Sequence, residues 1–311
     1  MRINGAEFLR LVEQAQRLED FEEGIAALAR ALPADPHAIV EFFDVPTGDS
    51  FDVKPAQAIS YFAAKGLKPT FSYLDMQGSA HDHAFTVAKM MDVDMLGQMR
   101  ASLDAAMANG TPFKEWADGI IPTLQAGGWW GRKEVVDPLT KQVVVAQLGS
   151  PWRLETIFRT NMQAAYAAGA WQEIQAQKEI APFLMYDAID DDRTRPMHAA
   201  WDKRTLAVDH PWWSTHYPPN GFNCRCGVIQ LSKDELDAMG ITPSLDPPKD
   251  GTFNWINPRT GDELAIPNGL DPGFVNNSGE SWAWKSKQLL KEKTAALQAD
   301  MQLAAEKAAQ A

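Results

Sequence analysis

The stretch "SPWRLETIFRTNMQAAYAAGAWQEIQAQKEIAPFLMYDAI", residues 150 to 189, holds the transition that decides the fold class. Ser150 before Pro151 is a helix start. The serine oxygen can accept an orphan amide of the first turn, and proline gives up an N–H that would have no acceptor there. Helical spacing then runs to roughly residue 180. Its alanine-rich middle (Ala164, Ala165, Ala167, Ala168, Gly169, Ala170) leaves room for a second helix to approach closely. Beyond Pro182 the texture changes: "FLMYDAI" is short, apolar and without helical period, as a buried strand is.

Working outward, the amino-terminal side is helical throughout. The cap-then-proline pair recurs at Asp35-Pro36 and Thr111-Pro112, and Gly66 and Gly110 read as helix stops in the left-handed conformation. Phe8, Leu11, Val12, Ala15 and Leu18 form one apolar stripe, and Phe21, Ile25, Leu28 and Leu32 a second. "PAQAISYFAAKG" predicts a helix from Pro55 to Gly66; "SAHDHAFTVAKMM" (79–91) and "VDMLGQMRASLDAAMANG" (93–110) predict a helix pair. On the carboxyl side "CGVIQL" is a second short strand. Residues 243 to 281 are loop-rich, with a small hairpin at "NPRTGDEL". No internal repeat stands out. The reading is α+β: a helix-rich amino-terminal half, a small loop-rich α+β module and a carboxyl-terminal helix. The divisions fall at 1–48 (helical extension), 51–180 (helical), 181–232 (α+β module), 233–284 (loop-rich) and 285–311 (helix).

Composition narrows the function. With formal net charge −12 the chain is repelled by phosphate overall, which argues against wrapping nucleic acid. A local contact is open to the segment after Trp284, where five lysines stand against three acids; Lys285, Lys287, Lys291 and Lys293 are the residues that would touch DNA there, or line an exposed helix. No stretch reaches ~18 consecutive apolar residues, so no membrane span is expected, and the first residues lack the apolar block of a secretion signal.

The 311 residues contain two cysteines, both in "PPNGFNCRC" (218–226). That is no disulfide framework. As a strand begins, residues two apart face the same side, so Cys224 and Cys226 should point one way with Cα atoms roughly 6.5 Å apart, suited to two thiolates on one metal. Thr194 can cap a helix containing Arg195-Pro196, which places His198 near its start as a third ligand. His210, His216 or Asp192 could be a fourth. A structural zinc is the cofactor this permits; the alternative is two small buried thiols packed beneath a turn, with His198 bonded to the acidic run. That run, Asp190–Asp192 beside Arg193 and Arg195, could hold a divalent ion for hydrolysis or pair with the arginines as a polar network. No nucleophile elbow, phosphate-binding glycine loop or H-E-x-x-H is present.

At these residues a family resemblance enters. "YDAIDDDRTRPMHAAW", "DHPWW" and "PPNGFNCRCGVIQLS" resemble the signature of the phage Mu F-like head morphogenesis family, minor capsid proteins of tailed phages and prophages. "KPAQAISYFAAKGLKPT", "GGWWG" at 127–131, "ETIFRTNMQAAYAAGAW" and "GLDPGFVNNSG" are similar to its remaining parts, so the resemblance runs from Phe51 to Gly279. Residues 1–48 look more like the helical carboxyl-terminal end of a Mu-like portal protein. Asp192, Arg193, Arg195, His198, Pro219, Asn223, Cys224, Arg225 and Cys226 match the motif, and the family brings no catalytic residues. The resemblance implies a minor component of the virion head, assembled in the bacterial cytoplasm. Its partner would be the portal, contacted through 51–180, where Phe113, Trp116, Trp129 and Trp130 are either exposed anchors or, for the tryptophans, simply core. Major capsid or scaffold protein and phage DNA are further partners, packaging or ejection a further role. Competing with this are a metal-dependent hydrolase and a DNA-contacting module built on the Asp/His/Cys cluster.

Overall fold

The computed structural model describes residues 55–285, 287 and 288; the expected 1–48 extension, Lys291 and Lys293 lie outside them. Helix α1 (Ala56–Ala63) follows Pro55 and ends at Ala64. Gly66 does not close it by a left-handed turn but opens strand β1 (Gly66–Leu67), which pairs in parallel with β2 (Ala84–Phe85). Between them lie a single 3-10 turn (Tyr73–Asp75) and the four-residue helix α2 (Ala80–His83), where a longer helix was predicted. Tertiary bonding overrides local propensity there. Asp82 is drawn inside, its two oxygens accepting from Tyr61 Oη and Asn276 Nδ2, each at 2.7 Å.

The clearer helix signals hold. Asp92 caps α3 (Val93–Asn109) through Met95 N, and Gly110 ends it at φ 64°. Pro112, not Thr111, is the N-cap of α4 (Phe113–Ala126), which begins one residue later than predicted. A hairpin, β3 (Arg132–Val136) and β4 (Val143–Gln147), interrupts the region read as all-helical. Then comes α5 (Pro151–Gln177), capped by Ser150 with Pro151 in its first turn. Strand β5 (Phe183–Asp187), helix α6 (Pro196–Trp201), strand β6 (Thr205–Ala207), helix α7 (Trp213–His216) and strand β7 (Gly227–Leu231) build the next unit. It is an antiparallel sheet in the order β6-β5-β7. Helix α8 (Lys233–Met239) follows, started by a capping box between Ser232 and Glu235. A second hairpin, β8 (Thr252–Ile256) and β9 (Glu263–Pro267), sits where "NPRTGDEL" predicted one. A last helix begins at residue 278, before the predicted 285, with Asn277 Oδ1 accepting from Gly279 N and Glu280 N. Among the described residues no helix is long and apolar enough to cross a membrane.

The α+β class follows from what α5 joins. Its first half packs Leu154, Ala165 and Ala168 into a helical core with Tyr61, Phe62, Leu96, Met99, Leu103 and Leu124. Its last turns carry Trp171 and Ile174 into a second core with Leu184, Tyr186, Trp201, Leu206 and Trp213 around the three-stranded sheet. The alanine-rich middle is where α1 crosses: a Cβ on Gly169 would lie 3.0 Å from Ala58 N. Trp116 and Trp129, candidates for exposed anchors, are 5% and 4% exposed and belong to the first core, against which Phe113 and Trp130 also pack. Their size favours burial wherever helices converge, and each indole N–H has a partner, Ser102 Oγ and Lys89 O.

The two hairpins are built alike, a repeat hidden in the sequence. Each has two five-residue strands. Their loops, "DPLTKQ" (137–142) and "NPRTGD" (257–262), close by equivalent bonds. Asp137 N donates to Gln142 O as Asn257 N does to Asp262 O. The first side chain of each loop accepts from the residue two further on. Lys141 and Gly261 take the left-handed position, at φ 60° and 79°. Arg259 ties the loops together, donating to Asp137 and, from Nε at 2.7 Å, to Asp75 Oδ1.

Candidate functional site

Chain order alone would not place His198, Cys224 and Cys226 together; the sheet does. Strand β5 leads through the acidic turn into α6, whose Pro196 stands at the helix start with Arg195 as N-cap. Thr194, predicted to be the cap, instead donates its hydroxyl to Ile189 O, because the turn from 189 to 194 folds back on itself. This puts His198 in the middle of α6, 2% exposed, its ring stacked on Trp201 at 5.1 Å and 17°. The second half comes from residues 218–226, a turn that precedes β7. Cys224 and Cys226 therefore sit three residues and one residue before the strand that was expected to carry them. Asn223 takes φ 58°, a conformation asparagine tolerates better than most residues, and turns the chain so both thiols face α6.

The result is a tight triangle. His198 Nδ1 lies 3.7 Å from Cys224 Sγ and 3.5 Å from Cys226 Sγ, and all three atoms are within 4.8 Å of one another. Both cysteines are free thiols. On its other side the ring meets Gly269 O through Nε2 at 2.8 Å. A carbonyl can only accept, so Nε2 donates there, and Nδ1 is the ring nitrogen that faces the sulfurs. The Tyr186 hydroxyl, which donates to Asn220 Oδ1 at 2.8 Å, stands beside Cys226. Cys226 is drawn toward thiolate, first by its bond to Cys224 and then by His198 and Tyr186, while Cys224 is pushed up by that same bond and by burial. Burial, then the nearby sulfurs, holds the Tyr186 phenol far above its usual range. Chemically, the triangle can hold a soft metal ion or persist as a hydrogen-bonded pair of thiols against the imidazole.

Around it the motif residues form a clamp whose acidic members differ from those predicted. Asp191, not Asp192, is the pivot: Arg225 donates to both its oxygens, at 2.7 and 2.5 Å, and Arg193 Nη2 reaches it at 3.1 Å. The Arg225 guanidinium holds that carboxyl well below the usual range. Asp190 and Asp192 are exposed. Arg195 Nη2 pairs with Asp271 Oδ2 at 2.8 Å and Phe222 O at 3.2 Å, and Asp271 Oδ2 also accepts from Phe222 N. Gly221 makes this approach possible, since a Cβ there would lie 2.1 Å from Arg195 Nη1. Pro219 follows a cis peptide bond at Pro218 and lines a separate cavity of about 740 Å³ with Phe222, Lys65 and Arg153. Lys65 Nζ and Arg153 Nη2 there already donate to His81 O and Ala88 O.

The other residues singled out go elsewhere. His210 Nδ1 accepts from Trp212 N. His216 lies beyond Trp201, stacked on Trp212 at 4.4 Å. Neither they nor Asp192 join the triangle. Lys285 is half-buried and Lys287 exposed. Sequence reasoning missed Asn220, Gly269 and Asp271, although "GLDPG" with its turn residues marked the last two.

Burial lowers His216 to about 4, against the Trp212 carbonyl and Asp250, and burial also lowers His81. Because the folded value lies below the unfolded one, the unfolded chain takes up the proton first as pH falls. Stability is full above about pH 6.5 and drops by up to about 3 kcal/mol by about pH 4. Urea midpoints across that window should fall, and in His216→Gln fall less; an equal fall in both proteins would remove His216 as the cause.

Comparison with known proteins adds the following. Residues 98–229 match the family model described as phage Mu protein F like protein. The chain is 38% identical over 190 residues to a protein of Escherichia phage Mu named for capsid assembly, protein F, covering 61% of this chain and 43% of that one. It is 38% identical over 201 residues to the Mu-like prophage FluMu F protein of Haemophilus influenzae, covering 63% and 47%. It thus spans less than half the length of these relatives. No solved structure matches it.

Proposed function

The central part of this chain, residues 98–229, belongs to the phage Mu protein F-like family, and from that premise we propose that the protein is a minor component of a tailed-phage or prophage head that joins the portal during procapsid assembly. It works by binding rather than by catalysis. The observation that carries this reading is the shared sequence with a phage Mu protein named for capsid assembly. The contacting surface is not the buried tryptophans of the first core. It is the first hairpin, with Val136, Val143 and Val145 each more than half exposed, and Trp152, 68% exposed, at the start of α5. Val145 and Trp152 line the same cavity. Major capsid or scaffold protein and packaged DNA are the other partners within reach of a head-bound chain.

Exposed side chains can be changed with little effect on folding, typically within ±0.5 kcal/mol, whereas an interface tryptophan is worth about 2 kcal/mol or more of binding, roughly 30-fold. Trp152→Ala combined with Val145→Asp should therefore melt like the unchanged protein yet lose capture of purified portal. Full capture by that variant would move the contact elsewhere.

A further inference from the structure

We propose that His198 Nδ1, Cys224 Sγ and Cys226 Sγ bind a zinc ion whose fourth ligand is water, and that the ion fastens α6, the 218–226 turn and the segment around Gly269 into one unit. The inference rests on the geometry of the triangle and holds whatever the protein's partner.

Four observations point the same way. Zinc bonds of about 2.3 Å to sulfur and about 2.05 Å to nitrogen, at a tetrahedral angle, separate nitrogen from sulfur by about 3.6 Å. The two separations here are 3.5 and 3.7 Å, both close to that value, and all three atoms lie within 4.8 Å of one another. Second, the imidazole is held in the orientation a metal requires. Its Nε2–H donates to Gly269 O at 2.8 Å, the outer contact by which metal-bound histidines are usually oriented. Third, both cysteines are free thiols, Cys224 buried and Cys226 half-buried, so each sulfur is available to a metal. Fourth, Tyr186 Oη lies at Cys226 and 2.8 Å from Asn220 Oδ1, while Asn220 Nδ2, in a residue 0% exposed, has no partner. With that amide rotated half a turn, Nδ2 donates to Tyr186 Oη and frees the phenol proton for the Cys226 thiolate. The buried Asn220–Tyr186 pair then becomes the outer support of a metal–sulfur bond.

Soft thiolates with one imidazole select zinc over the hard oxygen-seeking cations. On binding, each thiol releases its proton to solvent. Among the described residues no other histidine, cysteine or carboxylate joins the group, so water completes the tetrahedron.

The test uses the full chain purified without chelator, then stripped of metal and titrated with cobalt(II). The expected result is stoichiometric zinc in the purified protein and, on titration, a near-ultraviolet thiolate-to-cobalt band with intense tetrahedral visible bands, saturating at one equivalent. Cys226→Ser should weaken the thiolate band, and Tyr186→Phe should keep the spectrum while lowering zinc affinity about tenfold, as loss of an outer support does. Should the cysteine variants fail to fold, the cobalt spectrum of the unchanged chain decides alone. Folded protein that gives no thiolate–cobalt band while both thiols react with a thiol reagent would overturn the proposal. So would equal zinc content in a folded Cys224→Ser, Cys226→Ser double variant.

Discussion

Trp201→Ala should destabilise the protein by about 3–5 kcal/mol, the usual cost of emptying a buried tryptophan site. The side chain is 0% exposed and stands at the centre of an aromatic box. His198 stacks on it, and Tyr186, Trp212 and His216 meet it edge-on with ring centroids 5.6, 5.6 and 5.1 Å away. Gly269 presses against it from the far side, where even a Cβ would lie 2.5 Å from the indole. Tyr186 and His198 are held back from the gap by further side-chain bonds, Tyr186 to Asn220 and His198 to Gly269. Trp201→Phe should cost less, both because more volume remains and because the indole N–H has no partner in the folded state. Equilibrium unfolding in urea measures both. A Trp201→Ala loss under about 1 kcal/mol would show that the box is not close-packed.

Gly169→Leu is the second large effect, and it acts on the other core. Helices α1 and α5 cross at this glycine so closely that an added Cβ would lie 3.0 Å from Ala58 N and 3.3 Å from Gln57 Cβ. The obstacle is helix backbone, which cannot swing aside as a side-chain tip can. Alanine therefore forces the helices apart by a few tenths of an ångström, and leucine by much more. Overpacking of this kind costs roughly 1–3 kcal/mol and sometimes more, with Ala58, Tyr61 and Phe62 displaced from the core they share with Leu154 and Ala165. Alanine's better helix propensity offsets up to ~1 kcal/mol of the smaller change, so Gly169→Ala should be nearly neutral where Gly169→Leu is not. Equal thermal midpoints for the two variants would contradict a close crossing.

How much of this was legible in the sequence depended on how far each partner lies along the chain. Ser150-Pro151 announced α5 because a cap and its amide are three residues apart. Gly110 closed α3 for the same local reason. The thiol pair was legible too, since residues two apart in extended chain face one way whether or not the strand has begun. Other features depended on distant groups. Gly269 is 71 residues from His198 and Asp271 is 76 from Arg195. Nothing local distinguishes Asp191 from Asp192 until Arg225 arrives from the turn before β7. The first hairpin was missed because its strands, "RKEVV" and "VVVAQ", are mostly exposed, so the alternation that burial imposes on one face is faint. Its loop chemistry was nevertheless that of "NPRTGDEL", which was recognised. The helix expected over 79–91 failed where Asp82 found Tyr61 and Asn276, partners invisible to local spacing.

The central claim, that this chain is a head component joined to the portal, is tested most directly by purifying assembled heads from the host in which the encoding phage or prophage grows and measuring the chain against the portal and major capsid proteins by quantitative mass spectrometry. The account predicts that the chain is in the heads, in far fewer copies than the major capsid protein, and that it stays with the portal when the shell is dissociated. Heads that contain portal and shell but none of this chain, at any stage of assembly, would contradict it.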